Sequence, residues 1–214
     1  MELSKEQINA VNKTGKFIVV APPGSGKTFL LCEKTKEFLQ KFGKRIIVLT
    51  FSNKAASEIQ NRIDDDERLF IGTIHSYAQN LVNSRGHLVG LPKNTTIISE
   101  EKDKIVILKE IIRDSEYLST HMKDYLTGNK DIKRPLDFIK KQKLKFQNPD
   151  DFLIDESKYS ELYYELYNAY LKKMQEYNLL DFDDLLYYAH KILSMDNTQK
   201  MLSSVYSSVF IDEA

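Results

Sequence analysis

The stretch FIVVAPPGSGKT, residues 17–28, constrains the fold of this chain more than any other. A short apolar run breaks into a glycine-rich loop that ends in Lys27 and Thr28, which is the order of a strand, a phosphate-binding loop and the first turn of a helix. Backbone N–H groups at a helix N-terminus point at an anion, and a lysine ammonium reaches the outer phosphates. The stretch therefore predicts nucleotide binding, with the Thr28 hydroxyl on Mg²⁺.

The loop departs from the general pattern G-x-x-x-x-G-K-[ST] at its start, because Ala21 takes the place of the first glycine and two prolines follow it. Proline has no N–H to donate, and it stiffens the entry to the loop. The alternative is a glycine-rich turn that ends in Lys-Thr by coincidence, but the strand and helix patterns on either side favour nucleotide binding. The phosphate cradle is predicted to come from the later amides, those of Gly24, Ser25, Gly26, Lys27 and Thr28.

Composition limits the partners of the chain. Its 214 residues are enough for one large or two small domains. Lys plus Arg and Asp plus Glu both number 31, so the net charge is zero. This balance argues against a wholly basic nucleic-acid binder, although local basic patches remain compatible with it.

The sequence has no pattern of export or membrane insertion. Its N-terminal residues do not form a basic segment followed by an apolar one, and no stretch approaches the roughly 20 apolar residues of a membrane helix. We expect a cytoplasmic protein with no membrane partner. The single cysteine, Cys32, cannot form an intramolecular disulfide and is interpreted as a small core residue.

Strands and helices alternate in the first part of the chain. A helix at 4–11 has Ser4 and Gln7 at capping-box spacing, and another helix begins at a cap on Ser52 or Asn53 and runs to about residue 63. Further helices are predicted at 27–42, which Gly43 ends, and at 74–84; strands are predicted at 17–20, 45–50 and 69–72. This alternation is typical of a doubly wound α/β domain with a parallel sheet and flanking helices.

From residue 87 onward the pattern becomes helical, with 100–113 and 158–177 as the clearest helices and a short strand at 96–98 as the exception. The tyrosines at helical spacing in 158–177 are interpreted as packing surface rather than a binding platform. A helix at 182–192 and a strand at 208–211 then restore the α/β pattern. We therefore predict a discontinuous nucleotide-binding domain at 1–86 and 179–214, interrupted by an all-helical insertion at 87–178.

Asp212 and Glu213 follow the apolar strand SVFI directly. A P-loop nucleotidase needs such carboxylates opposite its loop: the first holds Mg²⁺ through the water shell, and the second polarises the attacking water. Many strands end in acidic residues, so the pair is informative only together with the phosphate loop. Nearly the whole chain separates Lys27 from Asp212, and the helical insertion accounts for that distance. The predicted catalytic residues are Lys27, Asp212 and Glu213, with Thr28 and Asp212 at the metal.

These strings together resemble superfamily 1 DNA helicases of the UvrD, Rep and PcrA type over essentially the whole chain. LSKEQINAVN is similar to the family's adenine-recognition motif and APPGSGKT to its phosphate loop, which commonly begins with alanine. VLTFSNKAASEI, IGTIHSYAQNLV, LLDFDDLLYYAHKIL and VFIDEA, the start of Walker B, follow in the family's order. The departures are Pro22, Pro23 and Phe29, where an Arg is common. The resemblance implies a RecA-like domain that uses ATP and Mg²⁺ and in which Gln7 hydrogen-bonds the base.

The resemblance also implies contacts with single-stranded DNA. Phe51 would stack on a base, which suits a motor that ignores sequence, and Phe182 is a further candidate. Without the motifs, both phenylalanines are better read as core aromatics and His75 as a buried histidine. The implied DNA-binding residues are Thr50, Phe51, Asn53, Thr73, His75 and Phe182.

A basic cluster in the insertion has two interpretations. Lys140, Lys141, Lys143 and Lys145 lie between Phe138 and Phe146. They either meet the phosphates of duplex DNA or form a solvated helix face.

The resemblance implies partners beyond this chain. Family members place ATP between two RecA-like domains, and the sequence stops at Ala214, within Walker B, without a second such domain. We therefore expect the N-terminal part of an ATP-dependent DNA helicase that acts on single-stranded DNA and DNA junctions and, as this chain alone, lacks robust activity. The alternative is a module that keeps the fold and binds nucleotide or DNA without being a motor.

Overall fold

The computed structural model describes residues 3–145 and 160–212. The chain divides into two compact units, Met1–Tyr77 with Leu193–Ala214 and Ala78–Ile192. These divisions fall at other positions than the predicted borders at 86/87 and 178/179. The assignment of a RecA-like domain and an insertion to the predicted ranges stays a prediction.

The first unit contains alternating helices and strands, as the sequence predicts. The helix α4 begins in this unit and continues into the second. The elements are α1 (Lys5–Asn12), α2 (Lys27–Lys41), β1 (Arg45–Thr50), α3 (Asn53–Gln60), β2 (Leu69–Thr73), α4 (Ile74–Arg85), and, after the second unit, α11 (Asp196–Val205) and β5 (Tyr206–Ile211).

The second unit is mainly helical. Its elements are a 3-10 helix (Gly86–Val89), β3 (Thr96–Ile97), α5 (Glu101–Asp114), α6 (Glu116–His121), α7 (Lys123–Thr127), α8 (Lys133–Leu144), α9 (Ser160–Glu176), β4 (Leu179–Leu180) and α10 (Phe182–Leu193). The strands β3 and β4 form a small parallel pair, so the short strand predicted at 96–98 is present.

A parallel sheet organises the first unit. Within the described residues its strand order is β2-β1-β5. Thr50 lies opposite Thr73, and Leu49 lies opposite Ile211. All three strands therefore end at the same edge of the sheet, where α/β domains place their ligands. The run RIIVLT is buried from Ile46 onward, as expected for a strand covered on both faces.

The prediction of a strand at 17–20 is wrong. The segment is not a strand, and Ile18 and Val20 are 89% and 92% exposed. An extended segment becomes a strand only when a neighbour accepts and donates its backbone hydrogen bonds, and no strand in the described parts of the chain pairs with this one. The apolar composition of 17–20 favours a buried strand, but composition does not specify the neighbouring strand that pairing requires.

The cores of the two units follow the helix and strand patterns. In the first unit, α2 and α3 pack on β1 through Cys32, Ile46, Val48 and Ile59, which confirms Cys32 as a buried, free core residue. In the second unit, Tyr167 and Tyr170 of α9 are buried in the main apolar cluster. The interpretation of the tyrosine stripe as packing surface is therefore confirmed. Among the described residues, no helix is long and apolar enough to cross a membrane.

Candidate functional site

The phosphate loop leads into α2 through two glycines in the left-handed conformation. Gly24 has φ of 76° and Gly26, the N-cap of α2, has φ of 83°. A β-carbon at Gly26 would lie 3.3 Å from Nε2 of Gln7, so a larger residue meets both backbone strain and a close neighbour. No side chain in the described chain caps α2, and its first turn contains no acidic residue. The N–H groups at this helix end are thus available to an anion.

Lys27, the first residue of α2, brings its ammonium back over the loop. Its Nζ donates hydrogen bonds to the carbonyls of Ala21 at 2.9 Å and Pro22 at 3.1 Å. The carbonyl of Pro22 also accepts the N–H of Ser25 at 3.3 Å. The two prolines cannot donate to a phosphate, but Pro22 helps to hold the cation at the helix N-terminus. A fixed cation beside free amides is the arrangement that binds phosphate oxygens.

Gln7 connects α1 to this loop. Its Oε1 accepts the N–H of Ser4 at 2.9 Å, and the Ser4 hydroxyl accepts the N–H of Gln7, so the predicted capping box is confirmed. The Nε2 of the same side chain donates to the carbonyl of Ser25 at 3.2 Å. The amide therefore caps its own helix and contacts the loop, and each end keeps capacity for one more hydrogen bond.

Asp212 lies at the end of β5, where its N–H donates to the carbonyl of Leu49 at 2.8 Å. Phe210, two residues before Asp212 on β5, packs against the core cluster that contains Cys32 of α2. Burial raises the pKa of the Cys32 thiol, and the Asp212 carboxylate adds to that rise. Thr28 is one turn before Cys32 on the same helix face. Thr28 near the start of α2 and Asp212 at the end of β5 thus belong to elements that share one core, and their meeting at one metal stays a prediction. Glu213 lies outside the described residues.

The chemistry of this region suits Mg²⁺. Hydroxyl and carboxylate oxygens are hard ligands, and Mg²⁺ is usually bound by one or two carboxylates together with water and phosphate oxygens. Thr28 and Asp212, both half-buried, would supply such oxygens. In the described part of the chain, no group of three or more His, Cys, Asp or Glu residues could hold a metal by itself.

The turn after β1 presents Phe51 to solvent. Thr50 is buried, and its hydroxyl donates to the carbonyl of Ser52 at 2.8 Å, so Thr50 shapes the turn from within. Ser52 caps α3 by accepting the N–H of Ala55 at 3.2 Å, which leaves Asn53 exposed in the first turn. The Phe51 ring is 79% exposed. The alternative reading of Phe51 as a core aromatic is therefore wrong.

The turn after β2 is the neighbour of this one, because β1 and β2 pair in register up to Thr50 and Thr73. The Thr73 hydroxyl accepts the N–H of Ser76 at 3.1 Å, which starts α4. His75 is exposed, so its alternative reading as a buried histidine is wrong. Phe182, 41% exposed, belongs to the second unit, where it is the first residue of α10.

In the basic cluster of α8, Lys143 neither is available to DNA phosphates nor belongs to a solvated helix face. Its side chain is only 2% exposed, and its ammonium pairs with Asp181 at 2.9 Å and Asp184 at 2.7 Å. A lysine buried between two carboxylates cannot meet phosphates or solvent. Lys140, Lys141 and Lys145 are exposed, and Phe146 lies outside the described residues.

The burial of two lysines, Lys143 and Lys34, was not predicted from the sequence. Lys34 lies on the stripe of Leu30 and Phe38 in α2, and its ammonium contacts the end of α1. A lysine in an apolar stripe was the available signal, but its partners are distant in sequence. The pattern alone therefore could not separate a buried cation from one that extends to solvent.

Comparison with known families decides the ancestry of this arrangement. The family description "UvrD/REP helicase N-terminal domain" matches residues 3–214. The chain belongs to this family. The α/β fold with a parallel sheet and the resemblance seen in the sequence are thereby confirmed.

Relatives of this UvrD/REP-type domain are named as DNA helicases. It is 32% identical to the ATP-dependent DNA helicase SRS2 of Saccharomyces cerevisiae, over 91% of this chain and 18% of that protein. It is 30% identical to the ATP-dependent DNA helicase PcrA of Leuconostoc citreum, over 86% of this chain and 25% of that protein. A probable DNA helicase II homolog of Mycoplasma capricolum is 28% identical, over 99% of this chain and 30% of its own length. The chain thus spans less than a third of each of these relatives.

Proposed function

We propose that this chain is the ATP- and single-stranded-DNA-binding N-terminal motor domain of an ATP-dependent DNA helicase. The observation that carries the proposal is the phosphate loop itself, where the Lys27 ammonium lies at a helix N-terminus that no described side chain caps. The names of the relatives support the helicase assignment for the whole protein.

The nucleotide is bound by the residues around this loop. The amides of 24–28 and the Lys27 ammonium bind the phosphates, because the helix dipole and the lysine charge both favour anions there. Gln7 hydrogen-bonds the adenine base with the capacity that Ser4 and Ser25 leave on its amide. Thr28 and Asp212 hold Mg²⁺, which when bound neutralises charge on the phosphates.

Hydrolysis requires further groups. Asp212 and Glu213 are assigned to the metal and to the attacking water, respectively. An arginine donated to the phosphoryl group from outside a P-loop domain contributes about 10³–10⁵ in rate in the nucleotidases that use one. We therefore expect the 214-residue chain alone to hydrolyse ATP slowly, with the second RecA-like domain supplying such arginines in the complete protein.

Single-stranded DNA is bound along the turns that follow β1 and β2. Phe51 offers an exposed ring on which a base stacks, and such stacking does not depend on sequence. Asn53 is exposed two residues after Phe51, and His75 is exposed in the neighbouring turn, which follows Thr73, the residue paired with Thr50. Both side chains can contact the DNA backbone or bases. Thr50 and Thr73 support these turns through their hydroxyl groups. Phe182 is a further candidate, and DNA junctions are the expected substrates of the whole helicase.

The DNA proposal is tested by fluorescence anisotropy of a labelled oligothymidine with the Phe51→Ala variant. Loss of base stacking costs about 1–3 kcal/mol, which raises Kd by about 5- to 150-fold. Phe42→Ala is the matched control, because Phe42 is also exposed but precedes β1, at the opposite edge of the sheet. Equal loss of affinity in both variants, or none in Phe51→Ala with its circular dichroism unchanged, contradicts the assignment of the DNA site.

A further inference from the structure

The Lys34 side chain of α2 is buried without a carboxylate partner among the hydrogen bonds of the described residues. Its ammonium instead donates to three backbone carbonyls: Ala10 at 3.1 Å, Val11 at 2.5 Å and Lys13 at 2.6 Å. These carbonyls lie at the C-terminal end of α1, where the last carbonyls of a helix lack intrahelical partners. An ammonium has three N–H donors, so this contact satisfies the cation completely.

Two aromatic rings complete the surroundings of this cation. The Phe17 ring centroid lies 5.0 Å from Nζ of Lys34, and the Phe38 centroid lies 4.9 Å from it. Both distances are within the range of cation–π attraction. Burial lowers the pKa of Lys34, and the charge of Glu37, nearly one turn further along α2, opposes that shift. The cation therefore joins α1, the segment that enters the phosphate loop, and α2.

The position of α1 matters because α1 carries Gln7. This helix contacts the nucleotide region near its N-terminus, through the Gln7 bond to the Ser25 carbonyl, and contacts α2 at its C-terminus through Lys34. The Gln7 bond alone is a neutral contact at 3.2 Å, which is weak for holding a helix of eight residues. Charge-assisted bonds are about twice as strong as neutral ones, so the Lys34 contact is the main polar attachment of α1.

We propose that Lys34 is a positioning residue for nucleotide binding: it fastens α1 to the phosphate-loop helix and thereby places Gln7 at the base of the bound nucleotide. This inference rests on the proposed function of the phosphate loop. The three N–H donors of the Lys34 ammonium are already used by the backbone carbonyls of Ala10, Val11 and Lys13. Its effect on ATP passes through Gln7.

A double-mutant cycle tests this role. ATP binding in Mg²⁺ is measured by isothermal titration calorimetry on the 214-residue chain and on Lys34→Met, Gln7→Ala and the double variant. Each single substitution is expected to weaken binding by about three- to tenfold, the size of one net hydrogen bond. The double variant is expected to bind ATP like Gln7→Ala, because Lys34 has no effect once Gln7 is gone.

Lys36→Met is the matched control, since Lys36 lies on the same helix but pairs with Glu33 at the surface, and it should leave ATP affinity unchanged. If Lys34→Met does not fold by circular dichroism, Lys34→Gln, which keeps an amide donor, replaces it in the cycle. Additive losses, or unchanged affinity in the folded Lys34 variant, overturn the positioning role alone. A parent chain that binds no ATP refutes the proposed function, and this inference with it.

Discussion

Replacing Lys143 with methionine is expected to destabilise the second unit strongly. The substitution keeps most of the side-chain volume but removes the cation that lies between Asp181 and Asp184. The carboxylate of each aspartate also accepts the backbone N–H of the other, at 2.9 Å in both cases, at the start of α10. Neither carboxylate can therefore turn to solvent without breaking one of these bonds. Removing one partner from a buried ion pair costs about 3–5 kcal/mol, because the other charge stays buried without compensation.

The loss of stability in Lys143→Met depends on pH, because the two aspartates titrate. Burial raises the pKa of Asp184 to about 6 even beside Lys143. Burial also acts to raise the pKa of Asp181, but Lys143 and the N–H of Asp184 together outweigh it, so that pKa is lowered. Without the cation, both carboxyl pKa values rise above the unfolded value of about 3.9. A group with a raised pKa in the folded state loses its stabilising contribution as pH rises through that pKa. The cost of Lys143→Met should therefore be larger at pH 8 than at pH 5.

Urea unfolding followed by circular dichroism at both pH values measures this cost. Lys141→Met, on the exposed face of the same helix, is the control and should change stability by less than about 0.5 kcal/mol. Equal unfolding midpoints for the two variants would show that the ion pairs contribute nothing. A larger loss at pH 5 than at pH 8 would show that the unpaired aspartates are not the cause of the destabilisation.

Two further substitutions test local geometry. Gly26→Ala places a residue with a β-carbon in the left-handed conformation, with that atom 3.3 Å from Nε2 of Gln7. The substitution should lower the free energy of unfolding by about 1–2 kcal/mol and weaken ATP binding. Unchanged ATP affinity and melting temperature would contradict this loop geometry. The bidentate contact with Arg68 lowers the pKa of Asp66 to about 2. The contribution of this contact to folding stability is therefore fully present above the unfolded pKa of about 3.9 and is lost as pH falls through 2. Asp66→Asn should therefore flatten the acid limb of a melting-temperature profile between pH 4 and 2, and an unaltered limb would contradict this assignment.

The sequence predicted best where one local pattern determines the structure. The continuous apolar run 45–50 is a buried strand because β-branched and aliphatic residues suit a sheet covered on both faces. The capping box of Ser4 and Gln7 is equally local, since both bonds form within one turn. The glycines of the phosphate loop take the left-handed conformation that their position requires.

The errors concern features that depend on distant partners. The segment 17–20 has the composition of a strand, but pairing requires a neighbour that composition does not specify. Lys143 lies in a run of lysines that suggests a solvated helix face, but it is buried against Asp181 and Asp184, which come much later in the chain. Lys34 is similar, because its acceptors are backbone carbonyls, which are present in every sequence and give no signal.

The proposed function rests first on nucleotide binding by Lys27 and the phosphate loop. Isothermal titration calorimetry of the 214-residue chain with ATP and Mg²⁺ tests it directly when Lys27→Ala is compared with Lys16→Ala, a lysine exposed before the loop. We expect the parent and Lys16→Ala to bind alike and Lys27→Ala to lose binding, because it removes the cation held at the helix N-terminus. Equal binding by Lys27→Ala and the parent would show that Lys27 does not hold the nucleotide, and no binding by a folded parent would refute a nucleotide site at this loop.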